Sequence, residues 1–408
     1  MTAADQLAAR RAIEALRCGV PSRDAVNALG SGQSDIEDSF LTLLDGTGTS
    51  RRGGERGLLL GGGFGSGKSH VLEHLAHLAL GRGFVVSRVV ISKETPLHDP
   101  VKVLKAAVET ATLPTGSFGA VAEAAADLHP DSPASAELLR WASGSSVSER
   151  FALTLSLLQH AKENDGEFAE AIVRFWSGDP IGVTQLRRQA RVAGKGKPAL
   201  ATVPVRELAR ERFRFLSRLF VAAGHQGWVL LLDEMELIGR YTLLQRGRSY
   251  AEVAGWLRPD PDDPGSPLAT VLAMTDDFDA AVLTAKNDRE LVPSRLRAKQ
   301  NSEWDEIARA AEAGMRLVER SMLLLAQPDA AELERAYTVL KGLHGEAFGW
   351  EPPDVAGLER LSATRMRQYV RAWINEWDLV RLDPGYTPET EAVAMEFRYD
   401  EEADLDSG

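Results

Sequence analysis

Gly62-Gly63-Phe64-Gly65-Ser66-Gly67-Lys68-Ser69 fits the pattern G-x-x-x-x-G-K-[ST] at every fixed position. Gly57-Leu58-Leu59-Leu60 before it reads as a short buried strand. His70-Val71-Leu72-Glu73-His74-Leu75-Ala76-His77-Leu78 after it has the apolar spacing of a helix. Strand, glycine loop and helix together make a phosphate cradle: glycines let backbone N–H groups converge on phosphate oxygens, and the helix N-terminus adds its positive dipole end. In such a cradle Lys68 reaches the β- and γ-phosphates and the Ser69 hydroxyl holds Mg²⁺.

A second stretch answers the first. Gly227-Trp228-Val229-Leu230-Leu231-Leu232-Asp233-Glu234 reads as a central parallel strand with two acids at its C-terminal edge, the edge where open α/β sheets bind ligands. A carboxylate at the end of a buried strand costs desolvation energy unless a positive partner meets it. Mg²⁺ shared by Asp233, Ser69 and the phosphates is that partner, and Glu234 then stands ready to orient and deprotonate an attacking water. The two motifs predict ATP with Mg²⁺ as ligands and hydrolysis to ADP and phosphate as the reaction. Two alternatives are a nucleotide-gated scaffold with little hydrolysis and a small-molecule kinase built on the same loop.

The rest of the chain is read around these anchors. Strands are expected at 84–91, 270–275 and 321–326, giving an α/β fold with a mainly parallel five-stranded sheet. The expected division is an N-terminal helical segment (1–57), a core (58–328) with a helical insertion at about 114–204, a C-terminal helical lid (329–395) and an acidic tail (396–408). Within the first segment, 5–18 and 35–44 read as helices and 19–34 as turns. The lid reads as helices at 329–344, 354–360 and 363–379.

The 408 residues allow two or three domains, and 44% apolar with 26% charged residues is ordinary for a globular protein. A net charge of −12 argues against a surface coated in nucleic acid, but not against a local basic face. The single Cys18 excludes an internal disulfide framework and a cysteine zinc site. No signal-peptide pattern or membrane-length apolar run is apparent, so a cytoplasmic location without membrane contact is expected. The run His70-Val71-Leu72-Glu73-His74 also matches a zinc-hydrolase signature, H-x-x-E-H. Its first residue follows Ser69 directly, where the helix is already committed to phosphate.

Gly62–Ser69, the strand ending in Asp233-Glu234 and a polar residue ending the next strand resemble an AAA+ ATPase, close to its initiator-loader branch, over about 58–112 and 205–380. The opening Arg10-Arg11-Ala12-Ile13-Glu14-Ala15-Leu16-Arg17-Cys18-Gly19-Val20-Pro21 and the run Gly61–His70 more closely resemble the ATP-binding (BrxD) family of BREX phage-defence systems. The AAA+ resemblance implies a sensor role for Thr275 and a trans-acting arginine finger at Arg295 or Arg297. It also implies a lid arginine at Arg365 or Arg367, a homo-oligomer, and nucleotide-coupled binding of DNA or partner proteins. The BREX resemblance adds other BREX proteins as partners. Two departures stand out. The interval from Lys68 to Asp233 is much longer than usual, and too few residues follow Leu382 for the winged helix of initiator relatives. DNA contact is therefore expected from a basic patch, Arg187, Arg188, Arg191, Lys195 and Lys197 beside Arg206, Arg210, Arg212 and Arg214.

Overall fold

The computed structural model describes residues 3–20, 22–48, 56–355, 366–383 and 385–386. Its centre is a sheet of five parallel strands: β1 (Gly57–Gly61), β2 (Val85–Val90), β3 (Trp228–Asp233), β4 (Leu268–Met274) and β5 (Met322–Leu324). Their spatial order is β2-β3-β4-β1-β5. The expectation of a mainly parallel sheet is met in full, because every pairing is parallel. β1, β3 and β4 are buried along their whole length, which is why they read as continuous apolar runs rather than alternating ones.

Strand alternation sends side chains to two separate cores. Leu58 and Leu60, Val229 and Leu231, and Ala269, Val271 and Ala273 face helices α3 (Ser34–Gly46) and α4 (Lys68–Gly81), where Phe40, Leu72 and Leu75 meet them. Leu59, Leu230, Leu232 and Leu272 face the other way. There they pack on α5 (Pro100–Glu109), α11 (Val205–Ala222), α12 (Leu243–Leu257), α13 (Asp288–Arg297) and α14 (Ser302–Arg320). In that layer α12 and α14 approach backbone to backbone. A Cβ on Gly314 would stand 1.9 Å from the Tyr250 carbonyl oxygen, so glycine is required there.

Five helices fill the interval between α5 and α11: α6 (Ala120–Asp127), α7 (Pro133–Ala142), α8 (Glu149–Asn164), α9 (Gly166–Ser177) and α10 (Val183–Val192). They extend the same core through Phe151, Ile172, Phe175 and Trp176. The fit is polar as well as apolar, with the Trp176 indole donating to Thr154 Oγ1 at 2.9 Å.

A third core joins the two ends of the chain. Helix α1 (Ala3–Cys18) lays Ala9 and Ile13 against α15 (Ala330–Phe348) and α16 (Met366–Leu382), among Leu340, Trp373, Ile374 and Trp377. Two arginines tie the same contact: Arg10 donates to the Ala347 carbonyl at 2.7 Å and Arg17 pairs with Asp378 at 2.5 Å. The segment 19–34, expected to be turns, holds a helix, α2 (Arg23–Leu29). Ser22 caps it by accepting from the Ala25 N–H, and Ala25 and Val26 are buried. Of the lid helices expected, residues 354–355 are not helical, and 356–365 and the tail at 396–408 lie outside the described residues. No helix among the described residues is long and apolar enough to cross a membrane.

Candidate functional site

The glycine loop leaves β1 at Gly61 and enters α4 at Lys68 without a side-chain cap. Gly67 takes φ 103°, a left-handed turn that a residue with Cβ resists, and it points the first turn of α4 back over the loop. The first N–H groups of a helix have no intrahelical partner, so this turn presents donors to whatever lies in the loop. The loop is also tied to the sheet, as the Gly62 N–H donates to the Met274 carbonyl at 3.2 Å.

Lys68 is buried and donates from Nζ to the carbonyls of Gly62 at 2.7 Å and Gly63 at 3.2 Å, so its ammonium stands inside the loop. The Ser69 hydroxyl donates to Asp233 Oδ2 at 2.6 Å. Two residues 164 positions apart are thereby in direct contact, through a charge-assisted bond. The second oxygen of Asp233 accepts the Glu234 N–H at 2.9 Å. Glu234 adopts φ 59°, a costly conformation for glutamate, in the turn that ends β3 and begins a 3-10 helix (Met235–Arg240). Partial burial, then the charge of Asp233, raise its pKa above the ordinary glutamate value, with Lys68 and Arg240 opposing. A hydroxyl beside a carboxylate is an oxygen donor set that suits Mg²⁺.

A cavity of about 440 Å³ opens over these groups, within the range of small-molecule sites. Its floor is Phe64–Val71 with Asp233 and Glu234. Its opposite wall, apart from the expected lid residue Arg367, had no signal in the sequence: Leu16, Gly19, Val20 and Leu29–Gln33 from the N-terminus, with Ala326, Pro328, Glu332, Arg335, Val339 and Val370 beside Arg367 from the far end of the chain. Specific bonds hold that wall. The Gln33 amide donates to the Ala326 carbonyl at 3.1 Å and accepts the Ala326 N–H at 2.8 Å, a two-point clip between positions 293 apart. Arg367 donates to the Gly19 carbonyl at 3.1 Å. His70 bonds the Gly30 carbonyl at 2.7 Å, and burial lowers its pKa.

Glu236 was also missed. It is buried beside the loop, its Oε2 has no hydrogen-bond partner among the described residues, and burial raises its pKa while Lys68 opposes. The signal was present in the Asp-Glu-Met-Glu run, because a 3-10 turn brings the second glutamate back toward the loop.

The remaining predicted residues lie elsewhere. Thr275 is buried just beyond the end of β4 and does not line the cavity. Arg295 and Arg297 are exposed on α13, also outside the cavity lining, and Arg297 pairs with Glu312 at 2.9 Å. Arg365 lies outside the described residues. His74 and His77 of the zinc-like run pair with Glu37 and Glu73, each at 3.1 Å.

The expected basic patch is corrected by half. Arg212 is buried, donating to the carbonyls of Phe175 at 2.8 Å and Asp179 at 2.7 Å. Arg214 is buried against Asp260 at 2.7 Å and Asp262 at 3.0 Å, and Arg210 pairs with Glu252 at 2.5 Å. A row of arginines on a helix crossing the core is used for internal pairing, because each buried charge needs a partner. Arg187, Arg188, Arg191, Lys195 and Lys197 are exposed along α10 and the loop after it.

No curated protein and no solved structure matches this chain. Residues 5–125 match the model of the family described as BREX system ATP-binding protein BrxC/D. The matched segment contains the glycine loop and the N-terminal part of the cavity wall, and it ends before the acids of β3. Over this segment, less than a third of its length, the chain is similar to the BREX system ATP-binding protein BrxC/D family.

Proposed function

We propose that the chain is an AAA+-type ATPase of the P-loop class that binds ATP with Mg²⁺ in the cavity over Gly62–Ser69 and hydrolyses it. The observation that carries this reading is the 2.6 Å contact between Ser69 and Asp233 beneath the Lys68 loop. Ser69 and Asp233 would hold the metal, which supplies charge neutralisation at the β- and γ-phosphates. Loop N–H groups and Lys68 bind the phosphates, and the Glu234 carboxylate takes the proton of the attacking water. The sheet order, with β1 between β4 and β5, is consistent with this class.

The proposed division keeps an ATPase core at 58–328 with the helices at 114–204 as an insertion, a lid at 329–395 and a tail at 396–408. Helix α1 works with the lid rather than apart from it, since the two share one core. Thr275 is proposed as a sensor at the end of β4. Arg295, exposed and without an ion-pair partner among the described residues, is the finger offered to a neighbouring copy in a homo-oligomer, with Arg297 beside it. Arg367, which lines the cavity wall, is proposed as the lid cation. The cycle would change contacts with DNA, through the exposed cations of α10, or with other BREX proteins in phage defence.

Lys68→Ala tests the site. Binding of a fluorescent ATP analogue and phosphate release should both fall by at least an order of magnitude while the thermal unfolding midpoint stays close to wild type. Unchanged binding and turnover would sink the assignment.

A further inference from the structure

The carboxylates of α11 and its neighbours pair with most of the arginines there: Arg210 with Glu252, Arg214 with Asp260, Arg218 with Asp263 and Arg246 with Asp288. Arg206 and Arg248 are different. Neither has a carboxylate within ion-pair distance among the described residues, in a chain whose net charge is −12. Arg206, at the start of α11, donates to the His98 carbonyl in the loop after β2. Arg248, on α12, stacks on the Trp304 ring at 4.6 Å, and Lys299 approaches the same ring at 6.0 Å. Lys102 on α5 adds an exposed charge that also acts on His98.

These charges act on one another. Burial, then the charge of Arg206, with Arg248 and Lys102 adding to it against Asp99, push the His98 pKa down to about 4. Burial and then Arg206 lower the pKa of Arg248, which only Glu303 opposes. Four cations gathered with only Asp99 and Glu303 acting against them repel, so the folded chain carries a cost here that a polyanion would relieve.

We infer that Arg206, Arg248, Lys102 and Lys299, arranged around His98 and Trp304, form a binding surface for the sugar–phosphate backbone of a nucleic acid. A guanidinium held by stacking keeps its planar N–H edge free for bidentate contact with phosphate. Cations contributed by α5, α11, α12 and the α13–α14 connection suit a run of phosphates better than a single one. This surface draws on residues other than the exposed strip on α10, and it is wired to the candidate site. The Ile91 N–H donates to the Asp233 carbonyl at 3.0 Å. The 3-10 helix that follows Glu234 ends at Tyr241, whose hydroxyl donates to the Ser92 carbonyl at 3.2 Å and whose ring meets His98 edge-on at 5.1 Å. Occupation of the surface therefore bears on the position of Asp233 and Glu234. That coupling rests on the proposed ATPase reading, and the binding itself does not.

The test is fluorescence anisotropy of the full chain with a labelled duplex and with its single strand, at two salt concentrations. The variants are Arg248→Ala/Lys299→Ala and Lys102→Ala/Lys299→Ala, with Arg187→Ala/Arg188→Ala/Arg191→Ala as the comparison. The second variant changes only exposed lysines, so it keeps the test sound if loss of the Trp304 stack impairs folding. Each cluster pair should weaken binding about tenfold or more and reduce the slope of log affinity against log salt by about two. ATP-analogue binding should be unchanged in both. Wild-type affinity and slope in both cluster variants would overturn the inference, as would wild-type protein that binds ATP but neither nucleic acid. Loss confined to the α10 variant would also overturn it. Failure of the ATPase reading shows separately, as nucleic-acid binding that stays intact with no turnover.

Discussion

Replacing Glu234 by glutamine removes a charge and almost nothing else. The glutamate backbone bond to Asp233, its N–H donating at 2.9 Å, survives the change, and the side chain has no hydrogen-bond partner among the described residues. Stability should therefore move by no more than about 0.5 kcal/mol, as for an exposed substitution. ATP affinity should hold or tighten, because a negative charge beside the phosphate cradle has gone. Turnover is another matter. A positioned general base contributes about 10²–10⁴ in rate, or roughly 3–5 kcal/mol of barrier. Steady-state phosphate release at saturating ATP should fall by that factor, with the analogue Kd unchanged or lower. The pH profile gives a second reading. Because partial burial and Asp233 raise the Glu234 pKa, wild-type rate should decline as pH falls through a value above the ordinary glutamate range, and the glutamine variant should lose that limb. Turnover within a factor of about three of wild type, less than ~1 kcal/mol on the barrier, would refute the role given to Glu234.

Three further outcomes follow from the same geometry. Burial raises the Glu236 pKa, so the folded state binds its proton more tightly than the unfolded one, and stability falls as pH rises from the unfolded value through the folded one. Glu236→Gln should remove that fall, raising the unfolding midpoint above wild type at pH above the folded pKa and leaving little difference at acidic pH. Arg214→Ala should cost roughly 2–3 kcal/mol in urea unfolding, less than a fully buried pair because Arg56 stands 3.6 Å from Asp260 and keeps part of the compensation. The same change should leave the salt slope of nucleic-acid binding untouched, since Arg214 is internal. Ile13→Ala removes a fully buried side chain from the α1–α15–α16 core and should cost about 2–5 kcal/mol. Hydrogen exchange should rise in α15 and α16, and ATP-analogue binding should weaken, because Leu16 to Val20 continue from that helix into the cavity wall.

Much of the candidate site was legible in one dimension. The glycine loop is a local device: Gly67, Lys68 and Ser69 are neighbours whose spacing is enforced by the turn they make. The acids of β3 were legible because a fully buried strand must be apolar until it reaches the edge, so Asp233 marks where the edge lies. The arginines of α11 were read less well, since a row of charges looks the same whether it faces water or carboxylates. Only the approach of Asp260, Asp262 and Glu252 distinguishes the two. Helix α2 was hidden by flanking glycines and needed the Ser22 cap and two buried side chains to stand.

The sequence by itself determined the strands, the glycine loop and the acids that face it, because these depend on periodicity, glycine placement and the cost of burying charge. Tertiary structure alone decided what closes over the cradle. The clip from Gln33 to Ala326, the bond from Arg367 to Gly19 and the packing of Ile13 against Trp377 join residues hundreds of positions apart. No local pattern encodes such meetings, since they arise only when separate apolar faces exclude water against one another.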